Sequence, residues 1–444
     1  MNPKRGRTGR RRKKKVLGTS TGNPSHERQY VRLMRWMKER GFRDKRLRTA
    51  HFPDTGRGLM SAQRLQPGEI IISLPESCLL TTDTVLSSYL GKYIRGWRPP
   101  VSPLLALCTF LVLERYLGAQ SPWQPYLDVL PRAYDCPVYW EADTVNFLPD
   151  PVKQKAMKQR RTVQELFSSA RPFFRSLNPL FPDIVEEILT YEALRWAWCT
   201  VNTRTVYKKH AQRECFTAEP DVYALAPYLD LLNHSAGVQV EAAFNEKSRC
   251  YEIRTMVQYK KFQQVFICYG HHDNQRLLLE YGFTAANNPH QSVYVTKDTI
   301  LQFVSINDKQ LQKKWSLLKE NGFLENLTFG RDGPSWRLLT ACRLLCLGAD
   351  ELYEMCFVFN HHTCWKKVLL GSFVSESNDR TSMELVRKIC LHCRRPGCGR
   401  GYWISSQKSE KSADPHLVLV EALRREESEI LTSSADVLQK EDAI

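Results

Sequence analysis

The chain has 444 residues, 42% of them hydrophobic, with a formal net charge of +17. That is enough apolar material for a sizeable core, and the length suggests two or three domains. The longest nearly apolar run, Leu104–Leu113, is half of the roughly 20 residues that span a bilayer, and no apolar stretch follows the basic N-terminus as in a secretory signal, so a soluble intracellular protein without a membrane partner is expected.

The charge is unevenly placed. Residues 1–26 carry nine Lys/Arg and no acid, leaving +8 for the rest of the chain. This tail lacks the apolar side chains that would offset ordering entropy, and is expected to be disordered. It suits a nuclear import signal, nonspecific nucleic-acid contact or a solubilising arm. Six basic residues within Gly9–Lys15 favour the first. Tyr30, Leu33, Met34 and Met37 then follow helical spacing, with Gly41 as the stop. Gly56-Arg57-Gly58 predicts a turn, and Glu69–Leu74 a buried strand closed by Pro75. Between about 95 and 200 the pattern turns helical: Leu104, Leu107 and Leu111, then Ile184, Ile188, Tyr191, Leu194 and Trp198. Pro/Trp/Tyr-rich pieces such as Ser121–Tyr126 join these helices. Strands resume at Val238–Phe244, Cys250–Met256 and Val265–Tyr269. Beyond about 300, Leu338, Cys342, Leu345 and Ala349 share a helical face. Residues 393–415 suggest a loop, and periodicity returns weakly at Leu417, Val420 and Leu423. The fourteen cysteines are scattered in apolar surroundings and are expected to be reduced and buried.

Several chemistries find no motif. Gly56-Arg57-Gly58 opens no helix, which argues against a dinucleotide fold. There is no phosphate-loop lysine motif and no HExxH. Ser235 beside His234 lacks the strand–Ser–helix elbow of a hydrolase. What remains is Ala226–Ser235 (APYLDLLNHS), which delivers Asp230, Asn233 and His234 on an apolar segment. Taken alone, this suits a satisfied buried network. A second polar knot, Tyr269-Gly270-His271-His272-Asp273-Asn274, follows a strand.

In order, Gly56-Arg57-Gly58-Leu59, Asn202-Thr203-Arg204 at a helix end, Asp230-Leu231-Leu232-Asn233-His234, Tyr269-Gly270 and Tyr281-Gly282-Phe283 resemble the SET-domain methyltransferases. The similarity is to the branch containing the Rubisco large-subunit methyltransferase, and covers roughly residues 30–390. It implies an α+β fold, a SET-domain β fold interrupted by a helical insertion (about 95–200) within 27–285. A mostly helical substrate-binding domain over 300–444 would follow, with an irregular segment at 391–415. It also implies S-adenosyl-L-methionine as cofactor. Thr55, Gly56 and Arg57 would hold it with backbone groups, and Gly58 would allow close approach. Arg204 would meet its carboxylate, Asn233 and His234 its methionine and adenine parts, and Asp230 would brace the segment. Tyr281 and Phe283 would pack near the adenine. Tyr269 would be the catalytic tyrosine, with Tyr281 or Tyr223 as helpers; no general base is assigned, and water is left to take the proton.

The resemblance further implies methyl transfer to a lysine of a protein substrate. A related class that modifies histidine has a polar amide two positions after the cofactor-binding arginine. Val206 stands there in this chain, and an apolar wall suits a lysine stem better. A monomer in nucleus and cytoplasm is expected, acting on histones or other proteins, with no specific nucleic-acid recognition. A noncatalytic peptide-binding SET module and a charge-driven nucleic-acid binder are the competing readings. Cys390, Cys393 and Cys398 have C-x2-C-x4-C spacing beside His392, and Cys356, His361, His362 and Cys364 form a looser group. That branch carries a helical domain where other SET proteins carry zinc, so no metal is expected.

Overall fold

The computed structural model describes residues 26–348, 368, 371, 373–394 and 414–440. The basic tail through Ser25, Ala349, the group at 356–364 and Cys398 lie outside them. The chain divides into two compact units, residues 1–132 with 166–270, and 133–165 with 271–444.

The first unit begins with helix Arg28–Glu39, which buries Tyr30, Leu33, Trp36 and Met37 at helical spacing. The chain leaves it through Gly41 at φ +90°. Strands β1 (Leu47–Phe52) and β2 (Gly56–Ser61) then form a hairpin in which Phe52 faces Gly56. β3 (Ile70–Pro75) carries the expected apolar run, displaced by one residue. Helix Pro103–Leu117 is capped by Ser102, whose side chain accepts from Leu105 N, with proline at its first position. It is buried nearly all round, from Leu105 to Glu114. The series from Ile184 to Trp198 is two helices, Val185–Ile188 and Tyr191–Arg204. Thr190 caps the second through Ala193 N, which restarts the register.

Further strands are β4 (Thr205–Tyr207), β5 (Tyr223–Leu225), β6 (Asn233–His234), β7 (Val240–Asn245), β8 (Cys250–Thr255) and β9 (Gln264–Ile267). β3, β8 and β7 make one antiparallel sheet, and β4 pairs with β5. The sheet that positions the site has the order β1-β2-β9-β6, with β6 parallel to β9.

The second unit packs helices Leu311–Glu320, Trp336–Leu345, Glu376–Arg394 and Pro415–Lys440 beside a small sheet of β10 (Val293–Tyr294), β11 (Thr328–Gly330) and β12 (Gly333–Pro334). Its core includes Phe329, Leu338, Val386, Ile389 and Ile430. Residues 391–394, expected to open an irregular stretch, are helical because Cys390 and Cys393 continue the core-facing row of Glu376–Arg394. The helix after Asp414 is far longer than its weak periodicity suggested. Val420 and Leu423 pack in one cluster while Ile430, Leu431 and Leu438 pack in another, so no single apolar stripe runs its length. Lys314 is only 2% exposed. Its Nζ donates to Asp308 Oδ2 at 2.6 Å and to the Leu345 and Leu347 carbonyls at 3.2 and 2.7 Å. Lys314→Met strands these acceptors and is expected to cost about 2–3 kcal/mol, read as a lower denaturant midpoint. No helix among the described residues is long and apolar enough to cross a membrane.

Candidate active site

The site is built on β9, whose neighbours β2 and β6 bring distant motifs together. Thr55 and Gly56 are exposed in the β1–β2 turn, with Gly56 at φ +66°. Beyond them the strand sinks into the sheet. β6 lies against β9 with Asn233 opposite Phe266 and His234 opposite Ile267. Asn233 Nδ2 therefore reaches across to the carbonyl of Arg57 at 2.9 Å and of Thr55 at 3.5 Å. Gly58 makes this possible: a Cβ there would stand 2.7 Å from Asn233 Nδ2 and 3.1 Å from both Gln264 Nε2 and Phe52 Cε2. The close approach is thus to a protein side chain, which the glycine frees to brace the turn. Gln264, 6% exposed, donates to Thr55 Oγ1 at 2.7 Å and braces it from the other side.

Arg204 closes helix Tyr191–Arg204, and its Nη1 donates to the Asp230 carbonyl at 2.8 Å. The turn Leu229–Leu231 that presents Asp230 follows Tyr228, a non-glycine residue at φ +70°. Its hydroxyl donates to the Leu47 carbonyl at 2.8 Å and its ring meets Phe42 edge-on, so packing holds the unfavourable backbone in place. Asp230 Oδ2 accepts from Tyr126 Oη at 3.0 Å, and Oδ1 is buried without a hydrogen-bond partner. Burial pushes the Asp230 carboxyl up to about 6, against the opposing pull of Arg204, the Tyr126 hydroxyl and Arg57.

The folded carboxyl binds its proton more tightly than the unfolded one, whose pKa is about 3.9. Its contribution to stability is therefore full below about 4, falls as pH rises to about 6, and is flat above. Relative to Asp230→Asn, the native chain is expected to lose unfolding free energy across that window, and paired denaturant titrations from pH 4 to 7 check it.

Tyr269 lies two residues beyond the end of β9, after Cys268. Its backbone N–H donates to His234 Nδ1 at 3.0 Å, its hydroxyl donates to the Leu232 carbonyl at 2.7 Å, and the two rings lie 5.2 Å apart. As an acceptor, Nδ1 carries no proton, so Nε2 is the ring N–H. One short segment, 230–234, thus ties together the Arg204 helix, the Gly56 turn and the tyrosine. Tyr223 is half-buried on β5, paired across from the exposed Tyr207, and burial raises its phenol pKa. Val206 sits on β4 opposite Ala224.

Tyr281 and Phe283 belong to the second unit. Tyr281 ends helix Asn274–Tyr281, stacks on His272 at 6.1 Å and lies 6.4 Å from Phe283. The polar knot after Tyr269 is largely structural. Asp273 caps that helix through Arg276 N at 2.7 Å, and Asn274 is satisfied by Ala285, Asn288, Gln291 and Glu426. Among the described residues, no group of three or more His, Cys, Asp or Glu is arranged to hold a metal.

Sequence reasoning missed Tyr126, Val129 and Gln264. The Val129 carbonyl accepts from Arg57 Nη1 at 2.7 Å. Nothing local marks Tyr126 or Val129, since their partners lie 104 and 72 residues away. Gln264 is the first residue of β9 and follows another glutamine, so its local sequence reads as a strand edge and does not mark it either.

The site combines a hairpin, a two-residue strand returning beside the strand that leads to Tyr269, and an arginine at a helix end bonded to the Asp230 carbonyl, in a chain of the SET-domain class. Residues 56–270 match the family model of the SET domain, and residues 305–395 match Rubisco LSMT substrate-binding. The chain is 54% identical to human SET domain-containing protein 4, over 99% of its own length and 98% of that protein. It is 27% identical to human actin-histidine N-methyltransferase, over 78% of its own length and 57% of that protein. Among solved structures it is similar to Rubisco LSMT bound to AdoMet, with a TM-score of 0.68 and 21% identity over 94% of this chain and 92% of the other. A second, the SET domain of LSMT bound to lysine and AdoHcy, has a TM-score of 0.69 and 20% identity over 95% and 93%. The chain belongs to the SET-domain methyltransferase family, in the group of SET domain-containing protein 4.

Proposed function

We propose that the chain is a protein-lysine N-methyltransferase that uses S-adenosyl-L-methionine. The observation that carries this reading is the convergence of Thr55–Gly58, Arg204, Asp230, Asn233, His234 and Tyr269 through one set of hydrogen bonds. The residues fit an amino-acid-bearing cofactor. Arg204 offers a guanidinium suited to a carboxylate, Asp230 Oδ1 is a buried acceptor without a partner, and the exposed Thr55-Gly56 turn presents backbone groups.

When bound, S-adenosylmethionine supplies an electrophilic methyl group. The chain's own part is positioning. The target lysine must present a neutral amine although its free pKa is about 10.4, and a dry, apolar channel favours that form. The Tyr269 oxygen, held by the Leu232 carbonyl, orients the amine and stabilises the positive charge it acquires. Val206 contributes an apolar wall to the lysine stem. Water takes the proton.

Lysine is preferred to histidine on the strength of Val206. The relation to an actin-histidine N-methyltransferase keeps histidine as the alternative. Histones and other nuclear or cytosolic proteins are the proposed substrates, with entry to the nucleus through the basic tail and action as a monomer. To separate the target residues, labelled product from a cell extract is hydrolysed and its amino acids resolved. Methyl-lysine is expected, and methylhistidine in its place overturns the lysine assignment.

A further inference from the structure

The Pro/Trp/Tyr-rich piece Ser121–Tyr126 and the residues after it have the composition of a connector between helices. In the fold, this stretch makes four long-range hydrogen bonds within the first unit. The Pro122 carbonyl accepts from Trp36 Nε1 at 2.7 Å, and the Pro131 carbonyl from Trp196 Nε1 at 2.8 Å. Between these two anchors, the Val129 carbonyl accepts from Arg57 Nη1 at 2.7 Å and Tyr126 Oη donates to Asp230 Oδ2 at 3.0 Å. The outer pair fixes the stretch to helix Arg28–Glu39 and to helix Tyr191–Arg204, which itself ends in Arg204. The inner pair grips two residues of the proposed cofactor site.

Tyr126 is completely buried, so its hydroxyl has been taken out of water and placed on one oxygen of Asp230. With Oδ2 held there, Oδ1 is left as the acceptor without a partner. The charged or titratable groups facing this carboxylate are Arg204 from the helix end, Arg57 from β2 and Tyr126 from the strap. The strap reaches two of them, Arg57 through Val129 and Asp230 through Tyr126.

We infer that Tyr126 is a positioning residue for cofactor binding: its hydroxyl fixes the orientation of the Asp230 carboxylate, so that Oδ1 and the Arg204 guanidinium are both presented to the amino-acid end of the ligand. This rests on the cofactor reading above. A phenylalanine at this position keeps the ring and its packing but removes the clamp. It also removes a hydrogen bond that favours the ionised carboxylate, so the pH at which Asp230 titrates moves upward.

The test is the dissociation constant of S-adenosylhomocysteine, measured by calorimetry on the full chain between pH 5 and 8. It is measured for the native protein, Tyr126→Phe, Asp230→Asn and the double variant. The native affinity is expected to rise with pH through about 6 as Asp230 ionises. Tyr126→Phe is expected to weaken binding about tenfold at neutral pH and to shift that rise to higher pH. Asp230→Asn is expected to abolish the rise, and adding Tyr126→Phe to it to change little, because the two act as one unit. A purely structural tyrosine gives another pattern, with a lower unfolding midpoint, an unmoved pH profile and independent effects in the double variant. That result overturns the inference while leaving the cofactor reading intact. Absence of binding by the folded native chain overturns the cofactor reading, and this inference with it.

Discussion

Tyr269→Phe is expected to lower kcat for methyl transfer by about 10²–10³-fold while changing cofactor affinity by less than about twofold. The substitution removes only the hydroxyl that donates to the Leu232 carbonyl. The backbone N–H of residue 269 still donates to His234 Nδ1, so the imidazole and the segment carrying Asn233 keep their orientation. The lost hydrogen bond costs the fold on the order of 1 kcal/mol, too little to unfold the unit. A split between kcat and cofactor binding is therefore the signature, checked by steady-state kinetics alongside calorimetry. Equal losses in both would mean that Tyr269 acts by holding the 230–234 segment rather than at the reacting centre.

The second large effect is expected at Gly58→Ala. The added methyl would stand 2.7 Å from Asn233 Nδ2, and Gln264 Nε2 and Phe52 Cε2 close it in at 3.1 Å. Of these, Asn233 has the freedom to swing away, but only by giving up the Arg57 and Thr55 carbonyls. The damage then falls on the Thr55–Arg57 turn rather than on the sheet, where β2 stays paired to β1 and β9. Overpacking of this kind costs roughly 1–3 kcal/mol of stability, and the displaced turn is expected to weaken cofactor binding roughly 10–100-fold. Calorimetric titration with S-adenosylhomocysteine checks this. Asn233→Ala placed on Gly58→Ala relieves the clash and is expected to recover stability without recovering affinity. If the double variant regains tight binding, Asn233 has no part in forming the site.

The motif residues were legible because each combines an uncommon chemistry with an apolar frame. Asp230, Asn233 and His234 stand out in APYLDLLNHS, and Tyr269-Gly270 closes an apolar strand. Their assembly was not legible. β6 is two residues long and shows no periodicity, yet its parallel pairing with β9 sets Asn233 under the glycine turn. Gly58 was expected to allow close approach, and in the fold its missing side chain leaves room for Asn233 Nδ2, a contact that no local pattern announces. Tyr126 read as part of a connector because its partner, Asp230, is fixed only by tertiary structure. The long helix Pro415–Lys440 was undervalued for a similar reason. Its apolar positions serve two clusters in turn, so the summed pattern looks weaker than either half.

Methyl transfer from S-adenosylmethionine to a protein is the activity on which the roles of all these residues depend. Incubation of the full chain with label in the methyl group and a nuclear and cytosolic protein extract tests it most directly, with Tyr269→Phe as the matched comparison. Label on protein lysine from the native chain, reduced about 10²–10³-fold in the variant, is the predicted result. No label on protein from the native chain, with cofactor binding confirmed separately, would contradict the account and leave a peptide-binding SET module in its place.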